Sequence, residues 1–299
     1  PSCPFLCMFS AVGPCGWLRK AAEQRNVGSS AVSRRVVDIE EESGTPLFER
    51  RARGVRLTAA GELFVADARK QMAELESTLS ESEDLRSVRR GEVRIAAIEG
   101  MAAELLPRAI HEFQKTHPKI RFTTFICGRE EVYQYLKEFR ADIGLVFNPP
   151  ADPEIRTLMD VEQRLCAFVS PDHPLTALDK VRLSDCVAYP LALPDPSLGG
   201  RALLDQFLAR RSLRLEPALE SDSFELMRNF ALKSGGVCFQ IQIGMPPSHL
   251  PGGMRALPLA DRGLSRGRLV LGMEHSRALP VASARFVEQL KQELGRATD

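Results

Sequence analysis

Small hydroxyl side chains and two adjacent arginines share one short segment of the chain, NVGSSAVSRRVVDIEEESG at residues 26–44. Serine hydroxyls can contact a phosphate or a base edge at close range, and arginine can make a bidentate contact to guanine. The solvated polar face of any amphipathic helix has the same pattern, so the segment alone leaves both interpretations open. The candidate DNA-contacting residues in it are Ser29, Ser30, Ser33, Arg34 and Arg35.

A second group of basic side chains follows at residues 50–56, RRARGVR, where four arginines surround Gly54. The VRLT that closes the segment is typical of a short strand, so we expect a basic β-hairpin. Such a hairpin can lie along phosphates or reach into the minor groove, where the negative potential favours arginine. The further DNA-contacting candidates are Arg50, Arg51, Arg53 and Thr58, the last of which is also the expected N-cap of the next helix.

Other residues of the chain could suggest catalysis, but their context does not support it. Tyr133 and Lys137 have the Y-x-x-x-K spacing of short-chain dehydrogenases, yet no G-x-G-x-x-G follows the first strand of the α/β region. The five histidines have no catalytic or metal-ligand spacing, and His173 in PDHPL sits in a proline-bounded turn. We therefore expect neither an enzyme nor a cofactor.

The composition is that of an ordinary globular protein of two or three compact units: 299 residues, 44% hydrophobic and 26% charged. A net charge of +1 requires any nucleic-acid contact to be local. Residues 1–64 hold nine Arg and Lys against seven Asp and Glu, and the acids gather at residues 40–42, away from the arginines.

The cysteines and the apolar segments limit the class of protein further. Seven cysteines are scattered without a C-x-x-C pair, which argues against structural zinc and a secreted disulfide framework. Residues 1–16 are apolar but lack a basic leading region, and no apolar stretch approaches the roughly 20 residues that span a bilayer. We expect no signal peptide, no membrane segment and a cytoplasmic location.

The candidate DNA-contacting residues need two helices to position them. WLRKAAEQRNV favours a first short helix, and residues 26–28 favour a turn. Val32, Val36 and Ile39 form one apolar stripe on a second helix, which is expected to end at Gly44. Two short helices joined by a tight turn form a helix-turn-helix, whose second helix enters the major groove.

A longer helix follows Thr58, with apolar residues alternately three and four positions apart. Such a narrow stripe favours pairing with another helix over packing on its own domain. The predicted dimerisation residues are Val65, Ala68, Met72, Leu75 and Leu79.

Strands and helices alternate after RSVRRGEV at residues 86–93, which predicts parallel sheets with crossover helices. The late strand and last helix are expected to return to the first sheet, giving two lobes with a cleft at the carboxyl ends of the strands. Strands are predicted at 92–98, 120–127, 141–147, 164–170, 189–193, 215–220, 236–241 and 266–274, and helices at 103–115, 130–139, 199–210, 223–233 and 281–295.

The segment LCMFSAVGPCGWLRKAAEQRNVGSSAVSRRVVDIEEESGTPLFERRARGVRLTAAGELF, residues 6–64, resembles the winged helix-turn-helix of LysR-type transcriptional regulators, and the pattern continues to the C-terminus. Trp17, Gly28 and Ser29 depart from residues frequent in that family. Ser29 is shorter than the Gln often found there and cannot make a bidentate adenine contact. The target sequence is therefore expected to differ from those of relatives.

The resemblance implies an α/β fold class: an all-α winged helix-turn-helix with a linker helix, then two α/β lobes resembling periplasmic binding proteins. We expect a DNA-binding domain at 1–64, a linker helix at 65–89 and an effector-binding domain at 90–299. Lobe I would cover about 91–162 and 266–299, and lobe II about 163–265. The implied partners are double-stranded promoter DNA, a second copy or three further copies of the chain, and a small-molecule effector.

Residues at the predicted strand ends are the candidates for binding that effector. In the family, the turn at residues 99–101 often carries a Ser or Thr that helps bind an effector carboxylate, whereas this chain has EGM. A simple carboxylate is therefore in doubt, and Met, Phe and Cys suggest an apolar site. The candidates are Glu99, Gly100, Met101, Cys127, Gly128, Phe147, Asn148, Leu198, Gly199, Phe239 and Gln240.

Two alternatives share the lobes. A solute-binding protein would have no use for residues 6–64. A thiol-based redox sensor of the same family would need an exposed cysteine of lowered pKa near a resolving partner, whereas a buried strand cysteine is usually a small hydrophobe. The cysteines in or beside predicted strands are Cys127, Cys166, Cys186 and Cys238.

Overall fold

The computed structural model describes residues 29–51, 54–84, 91–241, 243, 253–262, 264 and 266–296. These residues form two compact units. One unit holds the described residues before 87 together with 138–140 and 277–281, and the other holds the remainder. The expected first helix, its turn, Trp17, Gly28 and Arg53 lie outside the described residues.

The N-terminal unit consists of helix α1 (Ser29–Ser43), a hairpin of β1 (Phe48–Arg51) and β2 (Gly54–Leu57), and helix α2 (Ala59–Asp84). Helix α1 ends because Gly44 takes the left-handed conformation, with φ of +64°. The two strands pair antiparallel, with Arg50 opposite Val55. The predicted helix and basic hairpin are therefore both present.

A small hydrophobic core joins the helices and the hairpin of this unit. Val36 of α1, Leu47 and Val65 of α2 are buried together, with Ile39 and Phe64 packed against them. The Glu40 carboxylate accepts hydrogen bonds from the backbone N–H groups of Leu47 and Phe48, at 2.7 and 3.0 Å. Glu40, near the end of α1, thus holds the start of the hairpin in place.

Thr58 caps the start of helix α2, as expected. The Thr58 hydroxyl accepts from the Gly61 N–H at 3.0 Å and donates to the Pro46 carbonyl at 2.7 Å. A side chain at Gly61 would lie 2.0 Å from the Leu47 carbonyl oxygen, so the close approach of α2 to the hairpin requires glycine there. With 26 residues, the helix is roughly 39 Å long.

The C-terminal unit contains two five-stranded sheets with helices between the strands. Its strands are β3 (Gly91–Ala97), β4 (Ile120–Ile126), β5 (Ile143–Phe147), β6 (Ile155–Gln163), β7 (Leu165–Val169), β8 (Leu191–Pro194), β9 (Pro217–Ser221), β10 (Val237–Ile241), β11 (Arg255–Pro258) and β12 (Gly267–Glu274). Its helices are α3 (Leu105–Thr116), α4 (Arg129–Lys137), α5 (Leu183–Cys186), α6 (Gly199–Leu208), α7 (Phe224–Ser234) and α8 (Val281–Arg296).

The strand order gives two lobes, as expected. The predicted parallel pairing is present among β3, β4 and β5 and among β8, β9 and β10, but neither sheet is parallel throughout. The lobe I sheet has the order β4-β3-β5-β12-β6, and the lobe II sheet has the order β11-β7-β10-β8-β9. In lobe I, β12 runs antiparallel to β5 and β6; in lobe II, β7 runs antiparallel to β10 and β11. Both sheets are mixed because the first strand after the chain crosses from one lobe to the other runs antiparallel to its neighbours. This strand is β7 in lobe II and β12 in lobe I. Strand β12 does return to the first sheet, as predicted.

A buried ion pair ties lobe I together. Asp142 is 1% exposed, and its carboxylate accepts from the guanidinium of Arg94 at 2.9 Å and from the Ser283 hydroxyl at 2.9 Å. It joins β3, the start of β5 and the start of α8. In the same lobe, the rings of Phe113, Phe122 and Phe286 pack edge to face.

None of the helices in the described part of the chain is both long and apolar enough to cross a membrane.

Candidate functional site

An apolar cavity lies between the two lobes, where strands of both sheets end. It measures about 20 Å³ as the space open to the centre of a water molecule, which is room for roughly one water. Its walls come from the ends of β3, β5 and β10 and from the starts of α6 and α7. The lining residues are Ile98, Gly100, Phe147, Leu165, Leu198, Gly199, Gly200, Phe224, Phe239, Gln240 and Ile241.

Gln240 provides the polar side chain of this lining. It is 1% exposed, and its Oε1 accepts from the Arg228 guanidinium at 3.4 Å. Among the described residues, its Nε2 has no hydrogen-bond partner. A buried amide donor left unpaired is unfavourable by about 1–3 kcal/mol, so Gln240 offers a strong contact to any oxygen that enters the cavity.

Beside the cavity, Glu99 of lobe I reaches the first turn of α7 in lobe II. Its carboxylate accepts from the hydroxyl of Ser223 at 3.2 Å, from the backbone N–H of Glu225 at 3.2 Å, and from the backbone N–H of Phe224. The first N–H groups of a helix lack partners within the helix and carry the positive end of its dipole. Glu99 therefore satisfies them with a negative charge and joins the lobes.

Gly199 allows the two lobes to approach closely on the other side of the cavity. A Cβ added at Gly199 would lie 2.2 Å from the backbone oxygen of Phe147. Since Gly199 opens α6 in lobe II and Phe147 ends β5 in lobe I, this arrangement of the lobes excludes any side chain at residue 199.

The structure brings together six of the eleven predicted effector residues: Gly100, Phe147, Leu198, Gly199, Phe239 and Gln240. Glu99 lies beside them, against the start of α7. Four do not line the cavity: Met101 is fully buried, Asn148 has φ of +50° with its N–H bonded to the Arg268 carbonyl, and Cys127 and Gly128 follow β4.

Sequence analysis missed five lining residues, among them Ile98, Leu165 and Phe224. Ile98 directly precedes the candidate Glu99, so adding one residue there would have found it. Leu165 begins β7, whereas the candidates were chosen at the carboxyl ends of strands. Phe224 is the first residue of α7, and the contacts of this helix start with Glu99 place it at the cleft, which no local sequence pattern indicates.

The predicted DNA-contacting residues lie on α1 and the hairpin. Arg34 is exposed on α1, and Arg50 and Arg51 lie in β1. Thr58 uses its hydroxyl in the α2 cap. Side-chain positions lie outside the described part of the structure for Ser29, Ser30, Ser33, Arg35, Arg50 and Arg51.

The predicted dimerisation residues have unequal surroundings in α2. Val65 packs in the core of the N-terminal unit, and Ala68 is buried. Met72 is half-buried, Leu75 is 43% exposed, and the side chain of Leu79 is outside the described part. The apolar stripe thus packs in the core of its own domain at Val65 and is exposed at Leu75.

Three of the four described cysteines are buried thiols. Burial raises the pKa of Cys166 to about 11 and that of Cys238 to about 12. The pKa of Cys186 is raised to about 12 by burial and by the carboxylates of Asp185 and Asp261. These thiols stay protonated near neutral pH, which is opposite to what a redox sensor needs. Cys127 is partly exposed.

The Tyr133 and Lys137 pair differs from a catalytic pair in the surroundings of both side chains. Lys137 binds the carboxylates of Asp152 and Glu154 at 2.6 and 2.8 Å, and these hydrogen bonds raise its pKa. Burial, with Asp152 nearby, raises the pKa of Tyr133, although a catalytic tyrosine base needs a lowered one. The described residues contain no cluster of His, Cys, Asp and Glu that could hold a metal ion.

Two family models match the chain. Residues 86–295 match the LysR substrate binding domain, and residues 5–62 match the bacterial regulatory helix-turn-helix protein of the lysR family. The first match alone covers more than half of the 299 residues.

Individual proteins agree with the family models. The HTH-type transcriptional regulator CysB of Burkholderia cenocepacia is 28% identical over 244 residues, which is 81% of this chain and 78% of that protein. A full-length OxyR variant from Pseudomonas aeruginosa has a TM-score of 0.74 at 18% identity, over 97% of this chain and 93% of that one. Full-length CbnR complexed with its target DNA has a TM-score of 0.64 at 18% identity, over 97% and 98%.

Proposed function

Because this chain belongs to the LysR family of transcriptional regulators, we propose that it binds promoter DNA as a dimer or tetramer and responds to a small molecule in the cleft between its lobes. We assign DNA binding to residues 1–64, pairing to the linker helix at 65–89 and effector binding to 90–299. Such a regulator acts in the cytoplasm, where the promoter is.

The DNA contacts are assigned to α1 and to the basic hairpin. Exposure of Arg34 on α1, and the position of Arg50 and Arg51 in a hairpin fixed to α1 through Glu40, support this assignment. Arginines of the helix read bases in the major groove, while those of the hairpin contact phosphates. In a dimer, the two heads bind half-sites about one helical turn apart, or a multiple of it.

Effector binding is assigned to the cavity, and the single observation that carries it is the buried Nε2 of Gln240, which has no partner among the described residues and lies among apolar walls. A ligand can shift the arrangement of the lobes only if it binds one arrangement more tightly than another. Since the cavity holds roughly one water, a larger ligand must favour a wider spacing of the lobes. This change would be transmitted to the DNA-binding heads.

The test is selection of bound fragments from genomic DNA by the purified full-length chain. We expect recovery of one or a few promoter regions that contain paired half-sites, protected in footprinting. Recovery of fragments without a shared sequence, at every salt concentration, would contradict the proposed function.

A further inference from the structure

The chain's own carboxylate occupies a helix start that faces the cleft from lobe II. Glu99 accepts from Ser223, Phe224 and Glu225, and the Ser223 hydroxyl also accepts from the N–H of Leu226 at 3.3 Å. The leading donors of α7 are thus already used. A helix start of this kind is otherwise a binding position for an external anion.

We propose that Glu99 fills the carboxylate position of the cleft in cis, and that the cleft therefore takes an uncharged, largely apolar molecule with one oxygen that accepts from Gln240. This inference rests on the proposed function, because it names the ligand class of the same cavity. In this proposal Glu99 both joins the two lobes and disfavours the binding of anionic ligands.

An anionic ligand is disfavoured because the donors at the start of α7 are already occupied. A second carboxylate in the cavity would find the N–H groups of Phe224 and Glu225 engaged and a like charge on Glu99 nearby. The other walls are Ile, Leu, Phe and Gly, which cannot stabilise an ion removed from water.

A neutral oxygen is favoured by Gln240. Gln240 lines the cavity, its Oε1 accepts from Arg228 at 3.4 Å, and its Nε2 has no hydrogen-bond partner among the described residues. A Cβ added at Gly100 would lie 3.3 Å from this Nε2. The amide donor therefore lies next to a lining residue that has no side chain to cover it.

The first test is rescue of the missing carboxylate by acetate. Thermal unfolding of the full-length Glu99→Ala variant is followed over a sodium acetate series, against sodium chloride at equal ionic strength. We expect a saturable rise in Tm that is specific to acetate and absent from the wild type. Glu104→Ala is the matched control, since Glu104 pairs with Arg108 within lobe I, and it should not respond to acetate.

If Glu99→Ala fails to fold, Glu99→Ser is used in the same assay, because its short hydroxyl leaves room for acetate. Equal acetate responses in the wild type and the Glu99 variant would overturn the inference that Glu99 fills this position.

The second test compares three probes of one shape: acetophenone, benzoate and ethylbenzene, with affinities measured by calorimetry. In the wild type, we expect acetophenone to bind at least about tenfold more tightly than benzoate. Gln240→Leu should remove the preference for acetophenone over ethylbenzene, and Glu99→Ala should strengthen benzoate binding. Benzoate binding to the wild type as tightly as acetophenone would overturn the ligand class, as would failure of all three probes to bind at millimolar concentration.

Promoter binding by the same wild-type preparation distinguishes failure of this inference from failure of the proposed function. Sequence-specific DNA binding without the acetate and probe effects would overturn this inference and leave the proposed function in place. Absence of sequence-specific DNA binding would overturn the proposed function itself.

Discussion

His173 is a titratable side chain held neutral in the lobe II core. It is 3% exposed, its Nδ1 accepts from the Leu175 N–H at 3.1 Å, and its Nε2 contacts the Gly235 carbonyl at 3.2 Å. Burial lowers its pKa, against the opposing effect of the bond to Gly235. Because the folded-state pKa lies below the unfolded value, the stability that neutral His173 contributes is fully present above about pH 6.5. It is lost as the pH falls through the folded-state pKa.

We expect His173→Asn to be less stable than the wild type by about 1–2 kcal/mol at neutral pH, because the bond to Gly235 is lost. The difference should shrink as the pH falls, since only the wild type must exclude a proton. Urea unfolding at about pH 7.5 and about pH 5.5 measures both effects. The exposed His111, replaced by Asn, is the control. A difference that grows on acidification would contradict the burial argument.

The raised thiol pKa values predict which cysteines react. In the folded protein near neutral pH, iodoacetamide should modify Cys127 much faster than Cys166, Cys186 or Cys238, because the buried thiols are protonated and inaccessible. Peptide mapping at timed intervals measures the rates, and the unfolded chain should lose the distinction. Rapid modification of Cys238 in the folded chain would contradict the raised pKa and favour the redox-sensing alternative.

Strand-end position predicted six cavity residues, because carboxyl ends of neighbouring strands meet at one edge of a sheet. It could not predict the partners of Glu99, which lie 124 to 126 residues further along the chain. Such a contact depends on the docking of two lobes, which local patterns do not encode.

At the scale of elements, the closest approach between the lobes depends on the start of α6. Gly199→Ala should lower the stability of the C-terminal unit by about 1–3 kcal/mol, because the new methyl group would meet the Phe147 carbonyl. The matched control is Gly295→Ala in α8, where a Cβ would meet nothing within 4 Å. The control should change stability by no more than about 1 kcal/mol, in the stabilising direction. Equal effects of the two variants in urea unfolding would show that the lobes do not need this approach.

Most helices and strands could be predicted, with bounds within about two residues, because buried strands and amphipathic helices have strong apolar patterns. Strand β6 was missed because its residues, IRTLMDVEQ, mix charged and apolar side chains along a sheet edge. The four-residue β11 gives no period to recognise. Antiparallel pairing was also missed, because the direction of a strand depends on the route by which the chain enters the sheet after crossing between the lobes.

At the scale of the whole molecule, pairing through α2 should depend on Leu75. Leu75→Glu should convert the dimer or tetramer to a species of lower mass, because it puts a charge into the predicted helix seam. Lys70→Glu changes the charge at an exposed position of the same helix outside the seam and should leave the mass unchanged. Light scattering coupled to size exclusion measures the mass. Unchanged assembly of Leu75→Glu would place the pairing surface elsewhere.

The central claim is that this chain reads promoter sequence through the exposed side of α1. The most direct measurement is fluorescence anisotropy of the full-length wild type and Arg34→Ala on a selected promoter fragment and a scrambled one, over a salt series. We predict that the wild type prefers the promoter near physiological salt, and that Arg34→Ala loses about 1–3 kcal/mol on the promoter with little change on the scrambled DNA. Equal, steeply salt-dependent binding of the wild type to both fragments would contradict the account.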